Sequence, residues 1–254
     1  MRPALVASCL LLLGFTLPAL AAPGDQELVY DLRVGDQSVG TRTVSIRFLD
    51  GADAAGVEVI ESYTQIDTTL MGTPLHFENR ASAQLDAGTS SFVSSVDENG
   101  HLREIQARQR RDGVWKVTVI EDKAVKQADL PRGQVDLSTL QLLDLQAARD
   151  LTARARASVL LAETGTVMSG QVDDLGEGTV DVAGQSLPVH RWAWSPALGR
   201  MELAWSMDGV LVSYQAPWMG RTLQAKLRSV PAPRSWGQVE PVSAATGGMS
   251  EQEL

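Results

Sequence analysis

Three histidines, at positions 76, 101 and 190, are the side chains best suited to proton transfer near neutral pH. His101 follows Asn99-Gly100, so a tight turn there brings it near Asp97 or Glu98. An imidazole beside a carboxylate can serve as a general base. A charged hairpin tip in water has the same composition, and the sequence favours that simpler reading. His190 lies in Leu187-Pro188-Val189-His190-Arg191-Trp192, where alternation with apolar neighbours marks a strand histidine rather than a ligand. Asp173 and Asp174 with Glu177 offer clustered oxygens, yet they lack the ligand number and glycine spacing of a calcium loop. They predict a solvated turn, and no metal site is expected. Arg103, Arg108, Arg110 and Arg111 form a basic cluster before Asp112-Gly113, as expected of a charged strand edge that deters aggregation.

The aromatic residues say more. Of six tryptophans, Trp192, Trp194, Trp205, Trp218 and Trp236 fall late in the chain, whereas no phenylalanine follows Phe92. Trp192 and Trp194 share one strand face, because side chains alternate with period two. With Trp205 or Trp218 across the sheet they would form an aromatic wall, either a core layer or the lining of an apolar pocket. Trp192, Trp194 and Trp205, with Leu140 and Leu143, are therefore the candidate ligand-binding residues.

Catalytic signatures are missing. The chain has no Gly-x-Ser-x-Gly, no phosphate loop, no Gly-x-Gly-x-x-Gly and no His-Glu-x-x-His, so no catalytic residue or cofactor is predicted. Cys9 is the single cysteine. It lies in a leader: Arg2 precedes the apolar run 4–17, Pro18 breaks it, and Ala19-Leu20-Ala21 supplies the small residues of a cleavage site. Residues 1–21 are thus expected to be a secretory signal, leaving a thiol-free protein in the periplasm or outside the cell. The apolar run is too short for a lasting membrane span. Cleavage leaves 21 basic and 31 acidic residues, a charge of −10, which disfavours nucleic acid as a partner.

The elements that must position these residues read as strands. Leu28, Tyr30, Leu32 and Val34 alternate with polar neighbours, as do Val44, Ile46 and Phe48, and then Val57, Val59, Glu61 and Tyr63. Asn99-Gly100, Asp112-Gly113 and Asp208-Gly209 each separate β-rich runs and predict tight two-residue hairpins. They pair 92–96 with 102–107, that strand with 114–120, and 201–207 with 210–214. Ser138-Thr139-Leu140-Gln141 is a capping box, and Leu140, Leu143, Ala147 and Leu151 follow at helical intervals. One amphipathic helix is expected over 138–153, covering a sheet face. A single β-rich domain would span 22–230. The Pro/Gly/Ser-rich stretch 231–254 would be a flexible tail.

The opening pattern Leu-Val-Tyr-Asp-Leu-Arg-Val-Gly-x-x-x-Val-Gly, Leu28 to Gly40, and the closing pattern from Trp205 to Val212 resemble those of an uncharacterised family of exported bacterial β-sheet proteins. The fold this implies is similar to the curved half-barrel sheets of lipoprotein carriers and envelope lipid-binding proteins, in which helices cover a concave apolar face. The resemblance brings no catalytic residues. The expected protein is mainly β, a strongly curved antiparallel sheet, half-barrel or open barrel. Its expected role is non-catalytic binding or carriage of an apolar ligand, lipid or acyl chain in the cell envelope. The alternative is an assembly protein that docks an envelope protein through a sheet edge or the tail, and an enzyme is the weakest reading.

Overall fold

A computed structural model describes residues 25–49, 57–70, 72–86, 89–143 and 153–230. The expected leader, the tail and residues 144–152 lie outside the described residues. The first half is a meander of β1 (Gln26–Val34), β2 (Gln37–Leu49), β3 (Val57–Leu70), β4 (Thr73–Asp86) and β5 (Thr89–Glu98). It continues through β6 (His101–Gln109), β7 (Trp115–Glu121) and β8 (Ala124–Leu130). The second half runs from β9 (Leu137–Ser138) and β10 (Arg156–Leu160) to β11 (Val167–Val182) and β12 (Gln185–Pro196). It ends with β13 (Met201–Ser206), β14 (Leu211–Trp218) and β15 (Arg221–Leu227).

All fifteen described strands form one sheet, with β8 and β9 at its edges and β1 beside β15 at its centre. Tyr30 faces Leu227 and Val34 faces Leu223 across that junction. Every described pairing is antiparallel except that of β9 with β10. The sheet curls until distant parts touch. Gln141 Nε2 donates to Ser90 Oγ at 3.1 Å, and an Arg103 Nη donates to the Glu163 carbonyl at 3.4 Å. The Tyr30 hydroxyl donates to the Leu211 carbonyl at 2.7 Å, joining the opening and closing sequence patterns.

Burial follows the alternation. Leu28, Tyr30, Leu32 and Val34 all point inward, with Val44 and Ile46 beside them. Each such large aliphatic contributes about 1.5–3 kcal/mol on burial. The run in β3 faces the other way from its apolar count: Ile60, Ser62 and Ile66 are buried, while Glu61 is exposed and Val57, Val59 and Tyr63 are half-buried. The inward face of β3 carries Ser62 and Thr64 opposite Val44 and Arg42, so polar residues occupy core-side positions there.

The predicted hairpin pairings form in the expected places. Only one of the three turns has the expected length. Asn99 and Gly100 both adopt positive φ, 54° and 85°, as a two-residue turn requires. At Asp112-Gly113 and Asp208-Gly209 the glycine alone is left-handed, and the closing bonds run from Arg110 N to the Val114 carbonyl and from Ser206 N to the Val210 carbonyl. These are three-residue loops, in which the final position takes the left-handed conformation.

The expected covering helix starts differently. The capping bonds exist, Ser138 N to Gln141 Oε1 at 2.8 Å and Gln141 N to Ser138 Oγ at 3.4 Å. They close a single 3-10 turn, Gln141–Leu143, rather than an α-helix. Ser138 is held in β9 against Leu160, and Thr139 N donates to the Leu160 carbonyl, so pairing with β10 competes with helical winding. The remainder of the expected helix falls in 144–152, outside the described residues. No described helix is long and apolar enough to cross a membrane.

Candidate binding cavity inside the sheet

The inward polar positions converge. Arg42 on β2, Thr64 on β3 and Asn79 on β4 are register neighbours on one face, with Ser62 diagonally beside Arg42. Arg42 Nε donates to Ser62 Oγ at 2.9 Å, and an Arg42 Nη donates to the Tyr214 hydroxyl at 3.1 Å. The guanidinium also lies 5.6 Å from the Tyr214 ring centroid, a cation over an aromatic face. Asn79 is satisfied separately, accepting from Ser94 Oγ at 3.0 Å. Burial opposes the Arg42 charge, but Tyr214 and Glu163 favour it and hold its pKa above the ordinary arginine value. Arg42 is therefore a cation inside the curl.

Around it lies a partly enclosed cavity of about 260 Å³. Ile66 and Phe77 come from the first half of the sheet; Leu203, Leu211, Trp218 and Leu223 come from the second. Leu143 closes one side from the 3-10 turn, and Glu163 and Thr139 stand on the same wall. A mostly apolar hollow with a few oriented polar groups is what small-molecule sites look like. A larger hollow of about 760 Å³ lies on the opposite face of β2 to β6, but it is open and its walls are largely Thr43, Ser45, Glu61, Arg80, Ser82 and Ser95. The inner cavity is the better enclosed and more apolar of the two.

The five candidate residues are all buried, in two packed groups. Trp192, Trp205, Leu140 and Leu143 belong to the main core, and Trp194 belongs to a smaller cluster with Leu137, Leu142, Ala157 and Val159. Only part of the expected aromatic wall forms: the Trp192 and Trp205 centroids are 4.8 Å apart and His190 extends the row at 4.6 Å from Trp192, while Trp194 packs in the smaller cluster instead. Leu143 alone of the five lines the cavity. Trp194 Nε1 donates to the Ala157 carbonyl at 3.1 Å, so that indole is anchored in place.

Sequence reasoning missed Arg42 and Tyr214, and raised Trp218 only as an alternative to Trp205 in the aromatic wall. A signal for Arg42 was present, since it stands at an inward position of β2 where alternation calls for an apolar residue. Tyr214 is 172 residues away, and only curling of the sheet brings it there.

Two of the three imidazoles are paired with aspartates, outside this cavity. His76 Nδ1 lies 2.6 Å from Asp67 Oδ1, and His190 Nε2 lies 2.7 Å from Asp174 Oδ1. The Asp67 bond, with Asp97 and Glu78 nearby, raises the His76 pKa above its usual value. Asp174 is held below the usual carboxylate range, first by the Gly176 N–H and then by His190. His101 is exposed at the Asn99-Gly100 tip, opposite Glu98. Asp173 accepts from Gln171 and sits 3.8 Å from Arg200. Among the described residues, no three His, Asp or Glu side chains gather as metal ligands would. In the basic cluster, Arg103 pairs with Glu121 and Arg110 with Asp112 at 2.7 Å.

No protein-family model matches the chain, and no curated protein does. The fold is similar to a crystal structure described as a beta-barrel-like protein of a domain of unknown function, DUF1849, from Brucella abortus. The TM-score is 0.58 at 12% sequence identity, covering 82% of this chain and 98% of that one. The curved, nearly all-β architecture is shared with that protein.

Proposed function

We propose that this is a non-catalytic binding or carrier protein of the cell envelope, periplasmic or secreted, that holds an apolar ligand or acyl chain inside its curled sheet. The carrying observation is the inner cavity, walled by aliphatic and aromatic side chains from both halves of the sheet. Binding there needs no catalytic group, because burial of each methylene contributes about 0.8 kcal/mol. The leader-like residues 1–21 support export.

Native mass spectrometry of protein recovered from its own periplasm tests this reading. A bound lipid or acyl species, released by solvent extraction, is the expected result. Persistent absence of copurifying lipid, together with failure to take up added amphiphiles, would overturn it.

Docking of an envelope protein is the second reading, favoured by the edge strand β8. Among the described residues β8 pairs only with β7, and 124–129 are exposed. Hydrogen exchange in a periplasmic extract separates the two readings: a docked protein slows the β8 amides, whereas a lipid slows those around the cavity in β2, β3 and β14.

A further inference from the structure

Among the described residues, Arg42 is the single arginine on the cavity wall and no carboxylate stands within ion-pairing distance of it. A guanidinium has five N–H donors. Two are engaged, by Ser62 and Tyr214, which fix the plane of the group and leave the others for a ligand. Glu163 shares the wall but is turned to Thr139, whose hydroxyl lies 3.4 Å from its Oε2. Glu163 favours this charge only from a distance and forms no ion pair with it, so the place of a direct anionic partner at the buried guanidinium is open to a ligand. The apolar walls then dictate what else that anion must carry.

Resting on the cavity as the ligand site, we infer that Arg42 receives the carboxylate of a single-chain amphiphile, a fatty acid, whose tail lies against Ile66, Phe77, Leu203, Leu211 and Leu223. A carboxylate matches the guanidinium fork with two parallel hydrogen bonds. It also balances one positive charge with one negative, where a phosphate monoester would bring about two charges close to Glu163. The volume of about 260 Å³ lies just below the roughly 300–1,000 Å³ of sites for larger ligands, which suits one chain.

The test compares decanoate, 1-decanol and acetate binding to the mature full chain by calorimetry. Decanoate is expected to bind about 10- to 100-fold more tightly than the alcohol, the effect of a charge-assisted hydrogen bond, and acetate not at all. Arg42→Gln should bring decanoate down to the level of the alcohol and leave the alcohol unchanged. Glu163→Gln, outside the Arg42 hydrogen bonds, should tighten decanoate about threefold by removing a like charge. Acid and alcohol binding equally to the wild type would overturn the head-group assignment while the carrier reading stands. Acetate binding as tightly as decanoate would also overturn it, leaving an anion site without a tail. No binding of acid or alcohol would sink the carrier reading itself. If Arg42→Gln fails to fold, Glu163→Gln decides, and unchanged or weakened decanoate binding counts against the inference.

Discussion

His76 and Asp67 face each other across β3 and β4, and Asp67 is further fixed by Gln65 Nε2 at 2.9 Å. The pair holds the His76 proton more tightly in the folded than in the unfolded chain, so His76 has a raised pKa. Its stabilisation is complete below the ordinary imidazole value of 6.5 and fades as pH rises through the raised folded value. Asp67 is lowered, first by His76 and then by Gln65, so its share is present above the ordinary 3.8 and lost as pH falls through the lower folded value. Urea midpoints of wild type and His76→Gln should therefore differ most between about pH 4 and 6.5 and converge only once pH has risen past the raised folded value of His76. Both groups are exposed, so added salt should shrink the difference. A gap that widens with rising pH would contradict this pairing. Tyr30→Phe probes a buried contact instead. It leaves the Leu211 carbonyl without the tyrosine donor and should cost about 1–2 kcal/mol, read as a lower urea midpoint at unchanged slope.

At the scale of elements, Gly40 sets how closely β2 can approach β3. A Cβ there would lie 1.9 Å from the Gln65 carbonyl oxygen, backbone that cannot swing away. Gly40→Ala should destabilise by about 3 kcal/mol or more, measured by thermal unfolding. Gly35→Ala, in the β1–β2 turn at φ 59° with open space around it, should cost about 1 kcal/mol. The two glycines of the opening pattern thus answer different physical needs. Hairpin positions were legible because glycine, asparagine and aspartate punctuate regular alternation, whereas the β1–β15 pairing joins strands nearly 200 residues apart and has no local signal. The 3-10 turn was not, because the Ser138 and Gln141 cap fits either winding and the bond from Thr139 to Leu160 decides between them. The inward face of β3 was misleading, since Ser62 and Thr64 occupy core-side positions beside Arg42. Polar residues that break the rule of alternation marked the candidate site, and that signal is readable only once the strand faces are known.

For the whole molecule, the β1–β15 junction makes the two meanders one hydrogen-bonded body. Native-state hydrogen exchange should show the slowest amides of β5 and β13 opening with the same free energy and the same urea dependence. Two separate values would mean that the halves unfold independently. The segment 161–166 braces the same closure. A Cβ on Gly165, which sits at φ 70°, would lie 2.5 Å from Val119 Cγ2, so this turn is wedged against β7. Gly165→Ala should open the curl locally and raise exchange in β7 before it affects β1 or β2.

The central position of β1 also bears on how the protein is made. One side of β1 can be covered by its sequence neighbour β2, but its other side waits for β15, the last described strand. At roughly 5–20 residues per second, a ribosome needs roughly 10 to 40 s to add the chain between Val34 and Leu227. Throughout that interval a long strand with an apolar face has a bare edge. The nascent chain is consequently most exposed to misassociation at the middle of its future sheet, and a product ending before Arg221 would stay in that state permanently.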